Sequence, residues 1–231
     1  MNIHYYLLNP TGNITALVTD AVAPENQPAV AAKLMTEEAS CEQVGFLFKK
    51  EGADMALRMA GGEFCGNATM CAGYLSGKEN PLVYVEGTGM VPVKVAERIC
   101  DVTMPLPLTI AEKHGYPTVV FPGISHMIIE GELNEPEKKI VEWCEEEALG
   151  FLFLRESEMK PLVYVRKSNT LFWERSCASG SSAVGAYLVK KYGGKQSAVL
   201  EQPGGTLTVV ADAESIHLIG KVEILKSPEQ F

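Results

Sequence analysis

The sequence predicts an α+β protein of two similar domains, each a mostly antiparallel sheet or barrel around a central helix. Short segments rich in β-branched and aromatic residues, separated by Gly and Pro, recur along the 231 residues, whereas helical periodicity is rare. The second observation is an internal repeat, in which a cysteine precedes a short Ala/Gly-rich helix and two strands in each half. Such a duplication predicts an active site in the cleft between the domains.

The predicted elements follow one another with turn residues between them. The strands are HYYLLN (4–9), VGFLFKK (44–50), PLVYVEG (81–87), MVPVKVAE (90–97), ICDVTMP (99–105), PLVYVRK (161–167), AVLEQ (198–202), TLTVVAD (206–212) and HLIGKVEILK (217–226). The helices are PENQPAVAAKLMTEE (24–38), EPEKKIVEWCEEEAL (135–149) and the segments after Cys65 and Cys177.

The repeat sets the domain organisation. GNATMCAGYLSG follows Cys65 and ASGSSAVGAYLVKKYGG follows Cys177, and each is succeeded by strand, Gly-containing turn and strand. The two cysteines lie 112 residues apart, about half the chain. We therefore expect an N-terminal domain over residues 1–112 and a C-terminal domain over 113–231, with the last strands free to cross back to the first half.

Composition excludes several classes of function. The net charge is −9 and no Lys/Arg cluster exceeds two adjacent residues, which argues against nucleic acid as a partner. No apolar run approaches the ~20 residues that span a bilayer, and the first residues lack a signal-peptide pattern, so a cytoplasmic protein is expected. The six cysteines form no CxxC pair or zinc-finger spacing, which argues against a metal. The expected partner is a small molecule, bound by a monomer or homodimer.

The residues after the two cysteines favour helix starts. These residues are Asn67, Thr69, Ser179, Ser181 and Ser182. The N–H groups and partial positive charge at a helix start stabilise a thiolate, lower its pKa and hold a carboxylate. Two such starts face to face would let one cysteine take a proton from a carbon while the other returns one to the opposite face. The alternative is that both cysteines are buried packing residues.

Two motifs carry a resemblance to a known family. EFCGNA and ERSCASGS resemble the cysteine motifs of the diaminopimelate epimerase superfamily, and the match runs in order along nearly the whole chain. The resemblance implies that fold, an isomerase activity on amino acids without any cofactor, and Cys65 and Cys177 as the acid/base pair. It also implies a set of substrate-binding residues: Asn13, Gln43, Gly66, Asn67, His126, Glu174, Arg175, Ala178 and Ser179.

Some of these residues also have simpler interpretations. Asn13 follows Gly12 and suits a turn. His126 could be a core histidine, and Glu174 and Arg175 could form a solvated ion pair.

The chain departs from the family where diaminopimelate's distal end would bind. Ile124 and Val163 replace two of the family's asparagines, and RMAGGEF lacks a third. Apolar side chains cannot pair a charged group, so a single-headed amino acid such as histidine is the expected substrate. The short ERSC segment is closer to the motif of proline racemases. A proton-shifting isomerase of a non-amino-acid carboxylate, diaminopimelate epimerase itself, a thiol-redox protein and a non-catalytic binding protein are the alternatives.

Overall fold

The computed structural model describes residues 3–166 and 169–228. The chain forms two compact units: unit 1 extends to Thr103 and resumes at Ile219, and unit 2 is Met104–Leu218. The last strand therefore begins in unit 2 and continues in unit 1.

Unit 1 is a barrel of mostly antiparallel strands. Its elements are β1 (Tyr5–Pro10), β2 (Thr15–Val18), a 3-10 turn (Pro24–Asn26), α1 (Gln27–Glu37), β3 (Gln43–Phe48), β4 (Met55–Met59), α2 (Gly66–Leu75), β5 (Leu82–Val85), β6 (Gly89–Ala96), β7 (Ile99–Met104) and β16 (Ile216–Lys226). The pairs β2–β3 and β4–β5 are parallel, and each is connected through a helix, α1 or α2. Because β16 lies beside both β7 and β1, the strands close on themselves.

Unit 2 has a similar order of elements, with one more strand before its first helix and one more before its second. Its elements are β8 (Thr109–Lys113), β9 (Tyr116–Phe121), β10 (Ile124–Glu130), α3 (Pro136–Trp143), β11 (Ala148–Arg155), β12 (Glu158–Val165), β13 (Thr170–Trp173), α4 (Ala178–Tyr192), β14 (Gln196–Gln202) and β15 (Gly205–Ala211). Here β10–β11 and β12–β14 are the parallel pairs, and α3 and α4 lie in their connections. The equivalent elements are therefore β2 and β10, β3 and β11, and α2 and α4.

The helices α2 and α4 are the central helices of the two units. Residues 66–73 of α2 are all buried, so this helix has no solvent face over its first two turns. A glycine eight residues after each cysteine lets the helix approach a strand closely. A Cβ at Gly73 would lie 2.8 Å from Cγ1 of Val93, and one at Gly185 would lie 2.5 Å from Cγ2 of Val209. The duplicated sequence thus produces duplicated packing.

The predicted α+β class, with a central helix in each unit, is confirmed. The helix predicted over 135–149 is wrong beyond Trp143, because Ala148 already begins β11, whose apolar residues pair with β10 and β12. Strands β2, β4, β8–β11 and β13 were missing from the sequence prediction. The end of the predicted strand 161–167, at Lys167, lies outside the described residues.

Candidate active site

Cys65 is the N-cap residue of α2. Its backbone is extended, with φ −129° and ψ 111°, and its Sγ accepts a hydrogen bond from the N–H of Ala68 at 3.4 Å. The hydroxyl of Thr69 donates to the Cys65 carbonyl at 2.7 Å. A cysteine here takes the place of the Ser, Thr or Asp that usually caps a helix. The cap holds the sulfur at the start of the helix.

Cys177 caps α4 in the same way. Its φ and ψ are −124° and 109°, and Sγ accepts from the N–H of Gly180 at 3.3 Å. The hydroxyl of Ser181 donates to the Cys177 carbonyl at 2.8 Å. The donors occupy the same offsets, three and four residues after the cysteine, in both units. The repeat seen in sequence therefore extends to the hydrogen bonds of each thiol.

In unit 1 a chain of polar side chains begins at the Cys65 sulfur. The thiol donates to Oε1 of Gln43 at 3.1 Å, and Nε2 of Gln43 donates to Oγ1 of Thr15 at 2.7 Å. Thr15 in turn donates to the backbone carbonyl of Asn13 at 3.0 Å. Gln43 and Thr15 are register partners on the parallel strands β3 and β2, which explains why their side chains meet.

Two amide oxygens near this network lack an internal donor. The Oδ1 atoms of Asn13 and Asn67 are buried and have no hydrogen-bond partner among the described residues. The other end of Asn13 is held, because its Nδ2 donates to Glu42 at 3.1 Å. Buried acceptors are normally satisfied, so unpaired ones indicate a place for a ligand that brings its own N–H donors.

In unit 2 a polar side chain near the cysteine is the imidazole of His126, which lies on β10. Nε2 of His126, on β10, lies 2.9 Å from Oγ of Ser179, and that oxygen lies 3.6 Å from Sγ of Cys177. The register partner of His126 on β11 is Gly150, and a Cβ there would lie 2.3 Å from Nδ1 of His126. The missing side chain of Gly150 makes room for the imidazole.

Gln202 fixes the backbone of the second cap. Its Oε1 accepts from the N–H of Cys177 at 2.8 Å, and its Nε2 donates to Oγ of Ser181 at 3.1 Å. The residue ends β14, directly before the Pro-Gly-Gly turn, whose Gly204 N–H donates to the carbonyl of Arg175 at 2.7 Å. The turn therefore ties the segment before Cys177 to β14.

Glu174 and Arg175 have different surroundings. The carboxylate of Glu174 lies close enough to Cys177 to raise the pKa of its thiol, in addition to the larger effect of burial. Its backbone N–H donates to the carbonyl of Pro161 at 2.9 Å. Arg175 is an exposed residue. Only the glutamate of this pair is therefore beside the sulfur.

Burial controls the protonation of the candidate residues. Loss of water raises the pKa of the Cys65 thiol to about 12 and that of Cys177 well above its usual range. The prediction that the helix starts lower these pKa values is therefore wrong for the unliganded protein, because desolvation exceeds the effect of the N–H donors. Burial also lowers the pKa of His126 to about 3, so its imidazole is neutral at pH 7.

The structure thus gathers the predicted residues into two groups. Unit 1 holds Asn13, Gln43, Cys65, Gly66 and Asn67, whereas unit 2 holds His126, Glu174, Arg175, Cys177, Ala178 and Ser179. The sequence did not identify Thr15, Gly150 or Gln202, and it identified Ser181 only as a residue suited to a helix start. The Gln immediately before the Pro-Gly-Gly turn was the one available signal among them.

Solved structures share this fold at low sequence identity. A phenazine biosynthesis protein of the PhzF family from Enterococcus faecalis matches with a TM-score of 0.73 and 16% identity, covering 100% of both chains. A predicted epimerase from Pseudomonas aeruginosa matches with a TM-score of 0.73 and 15% identity, covering 100% of this chain and 99% of that one. A probable proline racemase from Agrobacterium radiobacter gives 0.67 and 12%, covering 100% and 93%.

The fold, the paired cysteine caps and the relatives define an isomerase of the racemase and epimerase class. Residues 2–227 match the model described as the histidine racemase CntK N-terminal domain, and the chain belongs to that family. A histidine racemase from Fusobacterium nucleatum is 30% identical in an alignment 256 positions long, which covers 96% of this chain and 95% of that protein. One from Staphylococcus aureus is 28% identical in an alignment 251 positions long, which covers 94% of this chain and 91% of that protein.

Two features are absent from the described part of the chain. No helix within residues 3–166 and 169–228 is long and apolar enough to cross a membrane. Across the same two stretches, no group of three or more His, Cys, Asp or Glu side chains is arranged to hold a metal ion.

Proposed function

We propose that this chain racemises histidine without a cofactor, using Cys65 and Cys177 as its two acid/base groups. The observation that carries the proposal is the matching capping geometry of the two cysteines. Each lies at the start of a central helix, and its Sγ accepts a hydrogen bond from the N–H of the third residue after it. Relatives named histidine racemase, which match nearly the whole chain, support histidine as the substrate.

The head group of the substrate matches the groups around the cysteines. The carboxylate suits the first N–H groups of α2 and α4, at Gly66, Asn67, Ala178 and Ser179. The unpaired oxygens of Asn13 and Asn67 in unit 1 are suited to accept from the ammonium, and so, in unit 2, is the carboxylate of Glu174. Each of these interactions places a donor opposite an acceptor.

The reaction moves two protons on opposite faces of Cα. A thiolate takes the Cα proton, the C–H electron pair passes into the carboxylate as an enediolate, and the opposite thiol delivers its S–H proton to the other face. The product has the opposite configuration, and the two cysteines have exchanged protonation states. A general base works best when its pKa lies near the working pH, so the N–H donors of the helix start and the bound substrate must offset the burial that raises the Cys65 pKa. N–H groups near the carboxylate stabilise the enediolate.

The departures at the distal end support a single-headed substrate. Val163 is a buried residue of β12 and Ile124 is half-buried at the start of β10. Neither can bind the second amino-carboxylate group of diaminopimelate.

The six cysteines are all free thiols, which is consistent with a reducing cytoplasm. The net charge of −9 is consistent with a small-molecule substrate rather than nucleic acid.

Solvent exchange tests the proposal. We expect L-histidine in D₂O to acquire deuterium at Cα and to racemise without any added cofactor. C65S and C177S should each lower racemisation by about 10²-fold or more, since each removes one proton carrier. C144S is the matched control, because Cys144 is also a free, buried thiol and its Sγ donates to the carbonyl of Glu146 at 3.5 Å rather than to a residue of either cap. Absence of exchange with every amino acid tested, or a preference for LL-diaminopimelate, would contradict the proposal.

A further inference from the structure

The polar chain in unit 1 has a fixed direction. It ends at the backbone carbonyl of Asn13, which can only accept, so the hydroxyl of Thr15 must donate there. The Thr15 oxygen is then available only as an acceptor, and the group of Gln43 that faces it must be the amide NH₂. The hydrogen bonds of this network therefore determine which end of the Gln43 amide is the oxygen and which is the nitrogen.

This orientation determines what Cys65 meets. With Nε2 engaged by Thr15, Gln43 presents Oε1 to the sulfur at 3.1 Å. An oxygen acceptor stabilises the protonated thiol and repels a thiolate, whereas an amide N–H in its place would do the reverse. The side-chain neighbour of Cys65 in this network therefore favours S–H.

The sulfur of Cys177 meets a different side chain. His126 is buried and neutral, and its Nδ1 has no partner among the described residues. A buried orphan N–H is rarer than an unused lone pair, so Nε2 carries the hydrogen and donates to Ser179. The hydroxyl hydrogen of Ser179 is then free to point at the Cys177 sulfur, 3.6 Å away, where it stabilises a thiolate.

Other charged and titratable groups act on both sulfurs. Glu63 and Cys71 are near Cys65, and both burial and the Glu63 charge disfavour its thiolate. Glu174 disfavours the thiolate of Cys177 in the unliganded protein. When a substrate ammonium pairs with Glu174, that opposition is removed. The backbone donors to Cys65 include the N–H groups of Asn67 and Ala68, and those to Cys177 include the N–H of Gly180.

We propose that Thr15 and Gln43 are positioning residues that hold the thiol proton on Cys65. The inference rests on the proposed function and deepens it, since it identifies what controls the ionisation of one of the two acid/base groups.

The test measures the ionisation of Cys65 without substrate. The folded protein is alkylated with iodoacetamide across a pH series, and peptide mass spectrometry follows Cys65 and Cys177 separately. T15V removes the hydroxyl that orients the amide, so Nε2 can turn to the sulfur. We expect Cys65 to react about tenfold faster at pH 8, corresponding to about one pKa unit. T15S retains the hydroxyl and should behave like the wild type.

A second variant, Q43E, should change the alkylation rate of Cys65 in the opposite direction. Q43E keeps an acceptor at the sulfur and adds negative charge, so Cys65 should react about tenfold more slowly. Cys177, in the other unit, should keep its wild-type rate in both variants. Opposite shifts distinguish proton control from simple damage to the fold, and Q43E remains informative if T15V does not fold. Equal Cys65 rates in folded Q43E and wild type would overturn the proposal.

Failure of the proposed function has a different signature. If the protein racemises no amino acid, the alkylation shifts of Cys65 would still appear, because they depend only on the hydrogen bonds of unit 1. If racemisation is present but the shifts are absent, the positioning role of Thr15 and Gln43 is wrong.

Discussion

His126 occupies space that only a glycine at position 150 leaves open. The two residues are partners on the parallel strands β10 and β11, and a Cβ at Gly150 would lie 2.3 Å from Nδ1 of the imidazole. The histidine thus depends on a neighbour that carries no polar group of its own. Replacement of that neighbour is a way to move the imidazole without changing it.

G150A should displace His126 from Ser179. We expect a loss of about 1–3 kcal/mol in the free energy of unfolding, as for other overpacked cores, and reduced racemisation. Urea denaturation and chiral chromatography measure the two effects. The double variant G150A/H126A removes the clash, so it should be more stable than the sum of the single changes predicts. Simple additivity would show that the two residues do not compete for space.

The buried imidazole should make stability depend on pH. Burial lowers the pKa of His126 to about 3, below the ~6.5 of an unfolded histidine, so the unfolded chain binds the extra proton first. The contribution of His126 to stability is therefore complete above pH 6.5 and is lost progressively as the pH falls towards 3. At pH 5 the loss should be about 2 kcal/mol. H126N cannot titrate, so urea denaturation should show a smaller difference between pH 7 and pH 5 than in wild type. Identical pH dependence in both proteins would contradict this origin.

Q202L should weaken the second helix cap. The substitution leaves the N–H of Cys177 without its acceptor and the hydroxyl of Ser181 without the Nε2 donor. A loss of about 1–3 kcal/mol is expected from the buried N–H, together with reduced racemisation. Thermal unfolding measures the first effect. Q196L is the matched control, because Gln196 begins the same strand but bonds to the carbonyl of Gly193 near the surface. Its stability should change by no more than about 0.5 kcal/mol.

The two helix glycines should respond alike. G73A brings a methyl group against Val93, and G185A brings one against Val209. Each should destabilise its unit by about 1–3 kcal/mol. Adding V93A to G73A, or V209A to G185A, creates space for the new methyl group. Each double variant should therefore recover part of the free energy of unfolding that its glycine variant lost. If V209A, in the other unit, restored the stability of G73A, that result would contradict the equivalent glycine–valine packing of the two helices.

The sequence predicted the parts of the molecule that repeat. The matched runs after Cys65 and Cys177 indicated both central helices, and the strands that follow them were found at close to their observed bounds. Segments such as Thr15–Val18 and Met55–Met59 were missed, because four or five residues carry too little periodicity. The helix Pro136–Trp143 was predicted too long, because the charged and apolar residues that follow it also fit a helical pattern. The pairing of β11 with its neighbouring strands overrides that pattern.

The contacts around each sulfur were only partly foreseeable. Gln43, His126 and Ser179 were identified through resemblance. Thr15 and the contact between His126 and Ser179 were not, because strand register and helix placement bring these side chains together. The protonation of the cysteines was predicted in the wrong direction, since burial cannot be read from spacing. Gly150 gave no signal at all, because its role depends on the side chain opposite it.

The cap geometry joins a folding signal and a reactive group in one atom. Because Sγ of each cysteine accepts the N–H of the third residue of its helix, a Cys→Ala change removes the helix cap together with the thiol, whereas Cys→Ser keeps an acceptor there. A substitution to alanine at either position consequently has two effects: it weakens the start of the helix, and it removes an acid/base group. A descendant that lost the chemistry would still be expected to keep Ser, Thr or Asp at positions 65 and 177.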